Sequence, residues 1–311
     1  MTRPELKTIT GEDLAAQAMQ ESLNQCFGSK YAEMDGERNA KQIAHANATP
    51  IRVQMHGVAL YSMLQEEGML KDGARVVDIG SGNGEKLCEY LSNAGVQAVE
   101  VDFVEPSGQF SDLENNVGKL NESQVKASVH NENVSEALDR MEREGKTYDV
   151  ITLNLSFQYF PDKFQVIKRL LALLNKENPN ACIEIVLTGK EHGQEFVPIY
   201  NEARDRAGFK EKLSDWDTGM IQNETAFAAV VATLGGVCTA DNLTRSKRIY
   251  GNPHEILTNR EKVQSALLYG GLVEDQVERF RGELLSVIDE RGVNGETIHV
   301  VRLHITSKNN Y

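Results

Sequence analysis

The run Val76-Val77-Asp78-Ile79-Gly80-Ser81-Gly82-Asn83-Gly84-Glu85 decides how the rest of the chain is read. Apolar β-branched residues lead into an acid, and three glycines at alternate positions then turn the chain into a segment with helical spacing. Glycine serves there for two reasons: it accepts positive φ, and it lets the backbone approach a ligand closely. The pattern predicts a buried strand, Arg75–Ile79, whose carboxyl end opens onto a ligand site, the place where open α/β sheets bind ligands. Taken alone, the loop has a plainer reading as a mere tight turn.

Working outward, short β-branched runs recur at Ala98–Glu105, Val125–Val129, Tyr148–Asn154 and Ala181–Thr188. Helix-like stretches beginning near Glu85, Gly108, Val134 and Lys163 separate them. This alternation predicts a parallel sheet with right-handed crossovers. Beyond Gly189 the spacing predicts helices over Glu195–Ala207 and Thr225–Leu234 and a strand over Val237–Leu243. A charged helical region, Arg260–Arg291, and a closing strand, Thr297–Ile305, follow. Residues 1–70 read as an N-terminal helical cover, with amphipathic stretches at Leu14–Cys26 and Met55–Leu70 around the polar segment Gly28–Pro50. The expected fold is α/β: one sheet in a core over residues 71–311, with a late helical insertion at about 245–295.

Composition bounds the function. The 311 residues, 40% of them hydrophobic, suffice for one large α/β domain with a helical appendage. The 33 basic and 46 acidic residues give a net charge of -13, which argues against nucleic acid as the main partner, since that affinity comes from Lys and Arg neutralising phosphates. Cys26, Cys88, Cys182 and Cys238 are far apart, with no CxxC pair and no His spacing that suggests zinc, so no metal is expected. They read as reduced thiols of a cytoplasmic protein. No apolar run approaches the roughly 20 residues of a membrane span, and the N-terminus is too polar for a signal peptide.

The acids around the loop choose between two cofactor classes. A dinucleotide loop places a glycine or alanine where Glu85 stands, and a pyrophosphate at this helix start would meet both Asp78 and Glu85. S-adenosylmethionine carries no phosphate; its sulfonium and ammonium favour acidic neighbours. The second strand ends in Glu105, about 20 residues beyond the glycines, where a ribose-binding acid belongs; the plainer alternative is a solvated loop acid. The expected cofactor site is therefore Asp78, Gly80, Ser81, Gly82, Gly84, Glu105 and Pro106, with Asn131 after the third strand and Asn154 ending the fourth. In Asn154-Leu155-Ser156-Phe157-Gln158-Tyr159-Phe160, Phe157 and Phe160 read as core, whereas Gln158 and Tyr159 are candidates to face the acceptor.

These motifs resemble the class I S-adenosylmethionine-dependent methyltransferases. The glycine loop, Val104-Glu105-Pro106-Ser107, the His130 segment and Gln158-Tyr159-Phe160-Pro161-Asp162 are similar to the histamine N-methyltransferase-like small-molecule enzymes. So, more faintly, are Asp241-Asn242-Leu243-Thr244 and Asn294-Gly295-Glu296. The resemblance implies a seven-stranded, mostly parallel Rossmann-like sheet with the last strand antiparallel. It implies methionine over the glycine loop, ribose on Glu105, the transferring methyl near Asn154 to Tyr159, and Asn294 toward the acceptor. The family's paired tyrosines are Gln158-Tyr159 here, so only Tyr159 carries over.

Methyl transfer is an in-line displacement at an already activated carbon, so the protein needs alignment and a dry pocket rather than a nucleophile. The absence of GxSxG agrees with that. If the acceptor is a small-molecule amine it must arrive deprotonated, and His192 and Glu296 are the candidate proton acceptors. N-methylation is the leading expectation, with O-methylation of a small hydroxyl or carboxylate acceptor, or a non-catalytic cofactor-binding protein, as the alternatives.

Overall fold

The computed structural model describes residues 11–27, 64–93, 96–106, 111–121, 125–188, 196–209, 221, 223–242, 247–248, 274–292, 296–297 and 300–308. In chain order the strands are β1 (Arg75–Ile79), β2 (Glu100–Val104), β3 (Lys126–His130), β4 (Val150–Asn154), β5 (Cys182–Thr188) and β6 (Gly236–Asn242), then β7 (Lys247–Arg248), β8 (Glu296–Thr297) and β9 (Val300–Ser307). Seven of them form one sheet in the order β3-β2-β1-β4-β5-β9-β6. The pairs from β3 to β5 are parallel, and β9 runs antiparallel to both β5 and β6. The expected seven-stranded sheet with an antiparallel last strand is present.

Alternation along each strand sends side chains to two apolar layers. One layer joins Val77, Ile79, Ile151, Leu153, Ile183 and Ile185 to α1 (Gly11–Gln25) and to three helices defined below. The other joins Val76, Val101, Phe103, Val150 and Val186 to α2 (Glu85–Asn93), α3 (Ser111–Asn121) and the Leu64–Leu70 segment. The helices of the first layer are α4 (Val134–Arg143), α5 (Lys163–Ala172) and, after α6 (Phe196–Ala207), α7 (Glu224–Thr233). A third cluster packs α6 against α8 (Glu274–Arg291) through Ile199, Tyr200, Ala203 and Ala207 on one side and Phe280, Leu284, Val287 and Ile288 on the other.

Caps explain why helix starts were readable. Asn133 Oδ1 accepts from the amides of Ser135 and Glu136, while the Asn133 amide donates to Glu136 Oε2, a reciprocal capping box that opens α4. Asp162 Oδ1 accepts from the Gln165 amide at α5, and Asn223 Oδ1 from the Ala226 amide at α7.

Among the boundaries that differ from the sequence expectation, three have a visible cause. Ala98 has φ 56°, a left-handed conformation that no strand accommodates, so β2 starts at Glu100. Tyr148 makes only an isolated bridge to Leu174, and β4 starts at Val150. The closing strand divides: Glu296–Thr297 pairs with Lys247–Arg248, and the long strand in the main sheet begins at Val300. Of the charged region, α8 is described and lies between β6 and β9 in the chain; residues 260–273 lie outside the described residues. No described helix is long and apolar enough to cross a membrane.

Candidate active site

The glycine loop sits where β1, β2 and β4 end together. Gly80, Gly82 and Gly84 have φ of 76°, 61° and 65°. The amides of Gly80 and Ser81 both donate to Val104 O (2.8 and 3.2 Å), which ties the loop to the end of β2. Ser81 Oγ donates to Asp78 O at 2.7 Å, and the Gly84 amide to Ser81 O at 3.0 Å, closing the turn into α2. The glycines are also needed for room. A Cβ on Gly80 would lie 2.3 Å from Ser156 Cβ, and one on Gly84 would lie 2.5 Å from Leu113 Cδ1.

Two buried carboxylates flank this loop, Asp78 and Glu105, each 4% exposed. Thr152, opposite Asp78 in the β1–β4 register, donates its hydroxyl to Asp78 Oδ1 at 2.7 Å. The Gly82 amide donates to Glu105 Oε2 at 3.0 Å, and the Glu105 amide to His130 O at 3.1 Å. Cys88 is close enough to Asp78 to feel it: burial first, then that charge, pushes its thiol up to about 12. Cys88 is thus a protonated core residue, not a nucleophile.

At the end of β4 the chain enters a left-handed turn at Leu155 (φ 58°), whose amide donates to Val186 O at 2.9 Å. Ser156 Oγ donates to Ile79 O at 2.6 Å, which locks this turn against the glycine loop. Phe157 is fully buried among Phe27, Phe160 and Phe227, with ring centroids 5.8 to 5.9 Å apart, and is core as the sequence suggested. Gln158 donates from Nε2 to Leu155 O at 2.8 Å, but its buried Oε1 has no partner. The buried Asn154 Oδ1 has none either. A buried acceptor without a donor is costly, so two such oxygens at one strand end are available to a ligand or a water that donates.

The structure therefore brings together Asp78, Gly80, Ser81, Gly82, Gly84 and Glu105 at the ends of β1 and β2, with Asn154 and Gln158 at the end of β4. Pro106 and Asn131 are exposed at the ends of β2 and β3. Tyr159 is in the 3-10 turn Phe157–Tyr159, and Glu296 in β8 opposite Arg248. His192 and Asn294 lie outside the described residues.

Sequence reasoning missed Thr152 and Ser156. Thr152 could have been found by period-two counting back from Asn154 on the same strand; Ser156 carries no local signal. Asp102, inside β2, is a further buried acid. That residue faces the opposite layer and accepts from His130 Nε2 (3.1 Å), Lys146 Nζ (2.6 Å) and Tyr148 Oη (2.6 Å). Burial alone would push the Asp102 carboxyl up; these hydrogen bonds outweigh it and hold the group well below the usual carboxylate range.

The loop fits a cofactor that is cationic near the glycines. The buried acids repel a pyrophosphate, and the positive-φ turn admits close approach without a side chain in the way. The methyltransferase domain model matches residues 52–224, more than half of the chain. No curated protein is significantly similar in sequence. Among solved structures, the chain is similar to the plantazolicin methyltransferase BamL in complex with a triazolic desmethylPZN analog and SAH, at 14% identity and TM-score 0.50, covering 95% of this chain and 99% of that one. It also matches a putative sarcosine dimethylglycine methyltransferase from Galdieria sulphuraria at 17% identity and TM-score 0.44, covering 81% and 85%. Fold, loop chemistry and the matched domain agree: the chain belongs to the methyltransferase domain family and is an S-adenosylmethionine-dependent methyltransferase.

Proposed function

We propose that the protein methylates a nitrogen of a small molecule, as the resemblance to the histamine N-methyltransferase-like enzymes implies. The observation that carries this reading is the buried carbonyl oxygen Gln158 Oε1, without a protein partner at the junction beside the glycine loop. It accepts a hydrogen bond and cannot neutralise a carboxylate, so it matches an acceptor that presents an N–H group.

In this reading Asp78, Gly80, Ser81, Gly82, Gly84, Glu105, Pro106, Asn131 and Asn154 hold the cofactor, with Asp78 toward its cationic end and Glu105 toward the ribose. Gln158, Tyr159 and Asn294 face the acceptor. S-adenosylmethionine, when bound, supplies the electrophilic methyl carbon. The chain's own residues orient the acceptor nitrogen and keep water out, which is where the rate gain of such a transfer arises. His192 or Glu296 takes the proton that the amine sheds. Residues 1–70 form a cover and about 245–295 an insertion that bounds the acceptor side of a core over 71–311. The four free cysteines fit a reducing, cytoplasmic setting.

The test is transfer of a labelled methyl group to matched small acceptors that differ only in carrying an amine, a hydroxyl or a carboxylate. Amine methylation is expected, with Gln158→Ala raising the acceptor KM while the cofactor Kd stays within twofold. Turnover confined to the hydroxyl or carboxylate partners would overturn the assignment.

A further inference from the structure

On the sheet face that carries Asp78 and Thr152, but toward the β5–β9–β6 edge, lies a second polar cluster that the site above does not use. Cys182 and Glu184 stand at alternate positions of β5 and so share a face. His304 is directly opposite Glu184 on β9. One donor atom from each lies within 4.8 Å of the others. Two ligands at i and i+2 of one strand with a third from the neighbouring strand converge on one point, and no linear CxxC or HxxxH spacing announces it.

We propose that Cys182, Glu184 and His304 form a binding site for a divalent metal ion of the thiolate- and imidazole-preferring class that zinc represents. Four observations support it. The donor set of thiol, imidazole and carboxylate is the one zinc takes, and Met69 Sδ, 3.5 Å from Cys182 Sγ, adds a soft neighbour. Around a tetrahedral zinc, bonds of about 2.0–2.3 Å place donors roughly 3.3–3.8 Å apart, so small side-chain rotations close the present spacing.

Glu184 is already held from behind. Arg302 donates from Nε to Oε2 at 2.7 Å and from Nη2 to Oε1 at 2.8 Å, and its other contacts are to Glu67 at 2.9 and 2.7 Å. Such outer partners orient metal-ligating carboxylates. The charge count points the same way. Glu67, Glu184 and Asp241, whose Oδ2 is 4.0 Å from Arg302, face one guanidinium. With Cys182 as thiolate and His304 neutral, the cluster carries a net charge of −3, which a doubly charged ion reduces to −1. Finally, His304 Nδ1 now lies 2.6 Å from Glu184 Oε1, and the ring is 18% exposed, which gives an ion a route in.

Binding is balanced as follows. The Cys182 thiol loses its proton to solvent and the sulfur bonds the ion. Neutral His304 carries its single proton on Nε2 and ligates through Nδ1. Glu184 binds through Oε1 and keeps Arg302. One proton leaves per ion, and no oxidant or reductant is needed.

The experiment is calorimetric titration of the chelator-stripped full chain with zinc ion alone, paired with cobalt(II) absorption. One equivalent is expected, with one proton released and a thiolate-to-cobalt charge-transfer band. Cys182→Ala and His304→Ala should each weaken binding at least about tenfold, the least that loss of even an outer partner costs, and Cys182→Ala should abolish the band. No binding by the wild-type chain, no thiolate band in it, or unchanged affinity in a folded Cys182→Ala variant would each overturn the proposal. The cobalt band is read on the wild-type chain, so a misfolded variant does not shield the claim.

Discussion

The Gly82 amide donates to Glu105 Oε2 across 3.0 Å, so the glycine loop itself orients the carboxylate that ends β2. Glu105→Gln keeps an acceptor for that amide and removes only the charge. Its melting temperature should stay close to wild type while the S-adenosylmethionine Kd rises about tenfold, or ~1.4 kcal/mol. Glu105→Ala also strands the Gly82 amide, at a cost of about 1–3 kcal/mol in stability. Denaturation and equilibrium binding on both variants separate the two roles.

Gly80→Ala places a methyl group 2.3 Å from Ser156 Cβ at a residue with φ 76°. Steric crowding and left-handed strain together should destabilise the fold by about 2–4 kcal/mol. Ser156→Gly relieves the crowding but also removes the Ser156 Oγ–Ile79 O hydrogen bond, so the double variant should lose less stability than the two single variants summed. Strictly additive losses in urea would contradict the contact.

The first half of the sheet was legible because its signals are local. Asn133 with Glu136, and Asp162, announce α4 and α5 at the residues where they begin. The glycine loop and Glu105 announce the cofactor edge. What stayed hidden depends on partners far apart in sequence. Tyr148 reaches Asp102 over 46 positions, and Arg302 reaches Glu184 over 118. No periodicity encodes which acid a distant donor will find. The split of the last strand was hidden too, since Glu296–Thr297 alternates like Val300–Ser307 and only its pairing with Lys247–Arg248 divides the two.

Asp102 gives a pH signature. Its carboxyl is held low in the folded chain, so it stabilises the fold above the ordinary aspartate value of about 3.9, and that contribution is lost as the pH falls further, toward the folded-state value. Asp102→Asn should cost about 2 kcal/mol at pH 7, with the gap to wild type constant down to about pH 5 and narrowing below about pH 4. Urea denaturation across that range checks it. A gap that widens on acidification would reverse the assigned sign.

Arg302, 2% exposed, donates from Nε and Nη2 to the fully buried Glu184. Arg302→Met should destabilise by about 3–5 kcal/mol, because a buried carboxylate loses its fork. Glu184→Leu combined with Arg302→Met should be less damaging than Arg302→Met alone, a non-additivity readable in chemical denaturation.

The most direct measurement is calorimetric titration of the wild-type chain with S-adenosylhomocysteine and, separately, with NAD. Saturable one-to-one binding of the first, lost in Asp78→Ala and Glu105→Ala, with no heat from the second, is the expected result. Saturable binding of NAD, or affinity for S-adenosylhomocysteine that survives removal of both carboxylates, would contradict a cationic cofactor lying between Asp78 and Glu105.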